Sequence, residues 1–344
     1  MSYRKALITG VTGQDGSVLA EILLQKGYSV CGLRPYLPVD DTERLYALSG
    51  EIELVYGDLG DSANLTRLLE QQKPDEIYNL AAMSHVQVSF SMPEHTANVN
   101  AVGPVRLLEA MRLLGMGKDV RFYQASSSEM FGNTDTPQNE DTPFAPCSPY
   151  GVAKLYAYWM VRTYRDAYGF HASNGILFNH ESAVRGEQFV TRKITRAVGE
   201  FSMGRKEPLM LGNLEARRDW GHAHDYMRGA WMMLQQDKPG DYVLASGETH
   251  SVREFVKCAF EKAGRQIVWN GEGVEETGHD KYSGQTLVRI DPALFRPQEI
   301  HCLIGDAAKA RRVLGWSPDY SFDDLVAEMV EADSPASIRK KAYG

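Results

Sequence analysis

Residues 5–17 read Lys5-Ala6-Leu7-Ile8-Thr9-Gly10-Val11-Thr12-Gly13-Gln14-Asp15-Gly16-Ser17, and this stretch decides the fold. Lys5–Thr9 is a short apolar run with the character of a strand. Glycines follow at positions 10, 13 and 16, and Ser17–Lys26 then carries apolar residues at helical spacing until Gly27. A strand, a glycine turn and a helix start form a unit whose backbone N–H groups approach a pyrophosphate while the helix dipole faces it. The spacing is GxxGxxG rather than GxGxxG, but the physical demands are the same. Gly10, Thr12, Gly13, Gln14, Asp15 and Gly16 are therefore the candidate cofactor loop.

Working outward, the first half alternates strand-like and helix-like stretches. Ser29–Leu33, Ile52–Tyr56, Glu76–Leu80 and Arg121–Ala125 read as strands. Helical patterns around Asn64–Gln71 and Asn98–Leu114 separate them, and a long helix holds Tyr150 and runs to about Tyr168. Such alternation predicts an α/β fold, a doubly wound parallel sheet of Rossmann type. Right-handed crossovers bring the carboxyl ends of the strands to one edge, where ligands bind. On that edge, Asp58-Leu59 and Leu80-Ala81 are placed to line adenine and ribose. The end of the second strand reports the ribose 2′ position. It holds Arg34 and no acid in register, which places NADP ahead of NAD.

After about Gly186 the pattern loosens. Helices are legible at Ser251–Ala263 and Phe322–Ala332, while Pro208–Gly221 and Asn270–Arg296 read as irregular. The expected division is a dinucleotide-binding domain at 1–180 and a smaller α+β, substrate-binding lobe at 181–344, with chain exchange between lobes allowed.

Bulk properties exclude several classes. Lys+Arg 37 against Asp+Glu 45 gives −8, which argues against a phosphate-tracking nucleic-acid surface. No apolar stretch approaches the roughly 18 residues of a membrane span, and no leader pattern opens the chain. The four cysteines are far apart, so neither a zinc site nor a disulfide framework is expected. A soluble cytoplasmic protein without a metal is the expectation.

Tyr150 and Lys154 stand four apart, which places both side chains on one helical face. A nearby ammonium favours the phenolate, as a general base requires. Ser127 and Glu129, in Ser126-Ser127-Ser128-Glu129, follow the fifth strand at the ligand-binding edge. A hydroxyl there reaches a substrate hydroxyl, and a carboxylate supplies a second acid/base that simple alcohol oxidation does not use.

The glycine loop, the Ser-x-Glu and the Tyr-x-x-x-Lys resemble the extended short-chain dehydrogenase/reductase family. The strings Gly10–Ser17, Tyr123–Gly132, Leu177–Ser182, Phe189–Ile194, Gly212–Ala223 and Gly247–Val256 are similar to its GDP-mannose 4,6-dehydratase branch. So is Arg296-Pro297 followed by Gly305-Asp306. The similarity runs from Lys5 to about Trp316. It implies a redox-neutral lyase of deoxysugar biosynthesis, acting on GDP-mannose to form GDP-4-keto-6-deoxymannose, with NAD(P) retained through turnover. It implies Ser127, Glu129, Tyr150 and Lys154 as catalytic, and Ser84, Asn179, Lys193, Arg218 and Arg296 as substrate-binding. A homodimer or homotetramer is implied as well.

Three departures stand against the family pattern. Pro35 and Tyr36 replace two consecutive arginines, with Leu37-Pro38-Val39-Asp40-Asp41 in place of a serine run and only Arg44 retained. Met83 stands for the usual Gln, and Ala183-Val184-Arg185 for Pro-Arg-Arg. They leave NAD open beside NADP, and a related GDP-sugar such as a GDP-heptose open beside GDP-mannose. The alternatives outside dehydration are an epimerase or 4-reductase of the same fold, and a non-catalytic dinucleotide sensor.

Overall fold

A computed structural model describes residues 4–338 of the chain. Strand β1 (Lys5–Thr9) leads into α1 (Gln14–Gln25), followed by β2 (Ser29–Arg34), β3 (Ile52–Tyr56), α2 (Ser62–Gln72) and β4 (Glu76–Asn79). Two short helices, α3 (Val86–Ser91) and α4 (Pro93–Ala97), pass through a π turn at 98–102 into α5 (Gly103–Leu113). Next come β5 (Arg121–Ser127), the long α6 (Pro149–Tyr168), β6 (Ala172–Leu177), β7 (Asn179–Glu181) and α7 (Val190–Ser202). The remainder is β8 (Leu209–Leu211), β9 (Arg217–Arg218), β10 (Trp220–His222), α8 (Ala223–Leu234), β11 (Asp241–Leu244), β12 (His250–Ser251) and α9 (Val252–Lys262). It closes with β13 (Ile267–Asn270), β14 (Thr277–Asp280), β15 (Thr286–Ile290), α10 (Ala308–Leu314) and α11 (Phe322–Ala332).

Seven parallel strands form the main sheet in the order β11-β6-β5-β4-β1-β2-β3. Its central strands are buried on both faces because helices cover both. Leu19, Leu23, Met227, Met233 and Trp316 fill one side, and Leu65, Leu107, Met111, Val161 and Tyr164 fill the other. The strand order reverses at β1, whose neighbours are β2 and β4, and this switch opens a crevice beyond their carboxyl ends. The fold expected from the alternating pattern is the one observed.

A second sheet, β13-β14-β15-β8, packs under α7, α9 and α11 through Ile194, Phe201, Phe255, Phe260, Leu325 and Met329. Part of it, β8 within 208–221 and β14 and β15 within 270–296, lies in segments that read as irregular in the sequence, as do β9 and the start of β10. These strands are two to five residues long. Their partners are remote, Leu209 pairing with Val288, so no local periodicity announces them. Helix α1 begins at Gln14, ahead of the Ser17 start expected from apolar spacing, because Gly13 is its N-cap.

The glycine turn is forced by close packing. Gly10 has φ +70°, and a β-carbon on it would lie 2.8 Å from the Ala81 backbone; one on Gly16 would lie 2.2 Å from the Gly10 carbonyl. Gly10→Ala is expected to cost about 1–3 kcal/mol in strain. Scanning calorimetry should show a lowered unfolding midpoint. An unchanged midpoint would mean the loop has room that these distances deny.

Candidate active site

The crevice at β1 and β4 is pinned from below. Thr9 Oγ1 donates to Asn79 Oδ1 at 2.6 Å and accepts from the Leu80 and Ala81 amides, each at 3.1 Å. That clamp holds the β4 end against the Gly10 turn. Gly13 supplies no side chain to cap α1, so the first-turn N–H groups face outward for an anion. The residues therefore fit a dinucleotide: glycines where a side chain would block backbone approach, and an uncapped helix start beyond them. Gln14 does not reach outward. Its amide donates to the His180 carbonyl at 3.1 Å and accepts from Ser182 Oγ at 3.0 Å. Leu59 is buried in the core, whereas Asp58 is exposed after β3 and accepts from the Gly60 amide at 2.6 Å.

Arg34 ends β2, with Nη2 2.6 Å from Asp41 Oδ1 and Nη1 3.8 Å from Asp40 Oδ1. Thr12 Oγ1 donates to the other Asp41 oxygen at 2.8 Å. Arg44 donates to the Val184 and Thr12 carbonyls at 2.8 and 3.4 Å.

Asp15 meets His180, a residue that the sequence motifs did not single out. His180 Nε2 lies 2.9 Å from Asp15 Oδ2, and Nδ1 lies 2.8 Å from the Phe178 carbonyl. Both ring nitrogens face acceptors, so the ring satisfies both only as the imidazolium. Burial opposes that charge, but Asp15 outweighs it and raises the His180 pKa. Burial would likewise lift the Asp15 carboxyl, yet His180 holds it at about 2. In imidazole ¹H–¹⁵N spectra, His180 is expected to stay protonated above the ordinary histidine range, and Asp15→Asn should lower its midpoint. A midpoint at or below 6.5 in the parent protein would contradict the charged pair.

Helix α6 places the next group. Ser148 caps it by accepting from the Gly151 amide at 3.0 Å, with Pro149 at the first position. Tyr150 and Lys154 are both buried, and Lys154 Nζ lies 5.7 Å from the Tyr150 ring centroid. Lys154 Nζ donates to the Ala125 carbonyl at 2.8 Å. Ser127 Oγ accepts from the Glu129 amide at 3.2 Å and hydrogen-bonds Tyr150. Burial pushes Tyr150 up to about 12, partly offset by Ser127, and pushes Lys154 down to about 8. Burial outweighs the two groups that favour the phenolate, Ser127 and Arg185.

These side chains open onto one cleft of about 330 Å³. Asp15, Leu80, Ser84, Ser127, Glu129, Tyr150, Lys154, Asn179, Lys193, Arg218 and Arg296 all wall it. Gly10, Thr12, Gly13, Gln14, Gly16, Arg34, Asp58, Leu59 and Ala81 do not; they lie at or below the strand ends of β1 to β4. Arg296 Nη1 donates to Glu129 Oε1 at 3.3 Å. Buried Arg218 bonds the Ile300 carbonyl at 2.8 Å and Glu299 Oε1 at 3.0 Å. Arg185, His85 and Glu299 also wall the cleft. Sequence spacing gave no sign of His85 or Glu299, and Arg185 drew notice only within a substituted tripeptide. Met83 and Val184 do not wall it. Met83 is instead held through its backbone by Asn100 at 2.8 and 2.9 Å.

Among the described residues, no group of histidine, cysteine and carboxylate side chains is placed to hold a metal, and no helix is long and apolar enough to cross a membrane. The four cysteines are all free.

The profile of the family described as GDP-mannose 4,6 dehydratase matches residues 7–329. The GDP-mannose 4,6-dehydratase of Sinorhizobium fredii is 58% identical over 342 residues, covering 97% of each chain. That of Vibrio cholerae is 52% identical, over 98% of this chain and 95% of the relative. The human enzyme is 52% identical, over 95% of this chain and 91% of the relative. Among solved structures, the UDP-glucose 4-epimerase of Thermotoga maritima superposes with a TM-score of 0.81 at 21% identity, over 98% and 99% of the two chains. The dTDP-glucose 4,6-dehydratase of Bacillus anthracis superposes with a TM-score of 0.78 at 19% identity, over 95% and 96%. These two likenesses concern the fold.

Proposed function

This chain belongs to the GDP-mannose 4,6-dehydratase family, and on that premise we propose how its residues divide the reaction. The chain is an NAD(P)-dependent hydro-lyase that dehydrates GDP-mannose. Tyr150 takes the proton of the sugar 4-hydroxyl, with Ser127 fixing the direction of approach. Lys154 holds positive charge beside the developing phenolate, its position set by the Ala125 carbonyl. When held at the Gly10–Gly16 turn, a nicotinamide would supply the reversible hydride acceptor that oxidation at C4 and reduction at C6 require. The 4-ketone acidifies the C5 hydrogen. Glu129 takes that proton and passes it to the departing 6-hydroxyl, which leaves as water. Arg296 Nη1 donates to Glu129 Oε1 at 3.3 Å and so fixes where the carboxylate sits.

Lys193, Arg218 and Arg296 grip the diphosphate, while Asn179 and Ser84 meet the sugar side of the cleft. The observation that carries this assignment is the convergence of a buried Ser127–Tyr150–Lys154 group and a second acid/base, Glu129, on one cation-walled cleft. Met83 and Val184, the departures that would favour another sugar, lie outside its walls. Mass spectrometry of GDP-mannose incubated with the protein and trace NAD or NADP tests the reading. Loss of one water without net cofactor reduction is expected. Unchanged GDP-mannose, with water lost from a GDP-heptose instead, would overturn the choice of sugar.

The assembly is a dimer through α6. Val152, Tyr156 and Trp159 are exposed at helical spacing on one face of it, and Leu113 of α5 is exposed too. A second copy covers such a face by two-fold pairing. Sedimentation at the monomer mass would sink this assignment.

A further inference from the structure

The residues around the end of β2 bear on which dinucleotide the chain takes, given the reading above that the glycine loop holds one. A ribose 2′ substituent falls at this strand end, where an acid accepts a hydroxyl and a free arginine accepts a phosphate. Arg34 is not free. Asp41 pairs with it at 2.6 Å and Asp40 stands at 3.8 Å. Asp41 is also fixed by Thr12 of the glycine loop at 2.8 Å, so the acid is tied to the turn that faces the pyrophosphate. Asp40 is held in place by the Thr42 amide and hydroxyl at 3.0 and 2.7 Å and by the Tyr46 hydroxyl at 2.9 Å. Arg44, the other cation here, bonds two backbone carbonyls.

Two arginines and two aspartates make a neutral cluster. A 2′-phosphate brings about −1.5 to −2 charges and would have to part Arg34 from Asp41, then sit beside both acids. A 2′-hydroxyl needs no such exchange. It donates to a carboxylate oxygen that already has a fixed position and retains a lone pair.

We infer that the chain prefers NAD to NADP, with Asp41, supported by Asp40, as the specificity-determining acid. Calorimetric titration of the cofactor-stripped, full-length protein with NAD and with NADP tests this without any turnover. Nucleotides released by denaturing the purified protein provide a second readout by mass spectrometry. NAD is expected to bind at least about tenfold tighter and to dominate the released pool. In the paired isosteric variant Asp40→Asn/Asp41→Asn, checked for an intact melting transition, NADP should gain about tenfold and the preference should shrink. NADP binding as tightly as NAD in the parent protein overturns the inference and leaves the dinucleotide reading standing. A preference unmoved by the paired variant overturns the assignment to these acids. Failure of both dinucleotides to bind overturns the underlying reading as well.

Discussion

Glu129→Gln is expected to slow water loss from GDP-mannose by about 10²–10⁴-fold, the usual contribution of a positioned acid/base, while oxidation at C4 continues. The substitution keeps size and an oxygen that can still accept from Arg296, now 3.3 Å away. It removes only the capacity to take the C5 proton and hand it to the leaving hydroxyl. Reduced nicotinamide should therefore accumulate on the protein, visible by absorbance, and no solvent deuterium should enter C5. Turnover within tenfold of the parent protein would remove Glu129 from the chemistry and reopen the epimerase and reductase readings, which need no such acid.

Tyr150→Phe should fail one step earlier. The ring stays buried against the same neighbours, but nothing accepts the 4-hydroxyl proton. A loss of about 10³-fold or more in dehydration is expected, without the accumulation of reduced nicotinamide that marks Glu129→Gln. The phenol sits at about 12 through burial. Burial thus disfavours the phenolate in the protein alone. If reduced nicotinamide still forms in Tyr150→Phe, another group takes the proton.

The parts of the fold that were legible are those written locally. Strand, glycine turn and helix succeed one another within residues 5–25, and each transition leaves its mark in composition. Tyr150 and Lys154 were legible for the same reason, being one helical turn apart. The Arg34 environment was not. Its pairing acid lies around a loop at Asp41, so the ion pair at the end of β2 was not visible from the strand end alone. The bond between Arg296 and Glu129 joins residues far apart in the chain and is invisible to any window. The same holds for β8 against β15 and for Asp15 against His180.

The outer edge of the main sheet has a consequence for how the molecule comes into being. Strand β6 is buried along its whole length, and the neighbour that completes its outer side, β11, arrives only at Asp241–Leu244. A ribosome that has released residues 1–180 has made every strand of the sheet but that one, and leaves a bare, sticky edge waiting for sixty-odd further residues. Such an edge invites pairing with other nascent chains. Truncating the gene near codon 180 to obtain a stand-alone cofactor module should accordingly yield inclusion bodies. A usable cut lies beyond β11, after α8 and the strand it delivers have closed the sheet.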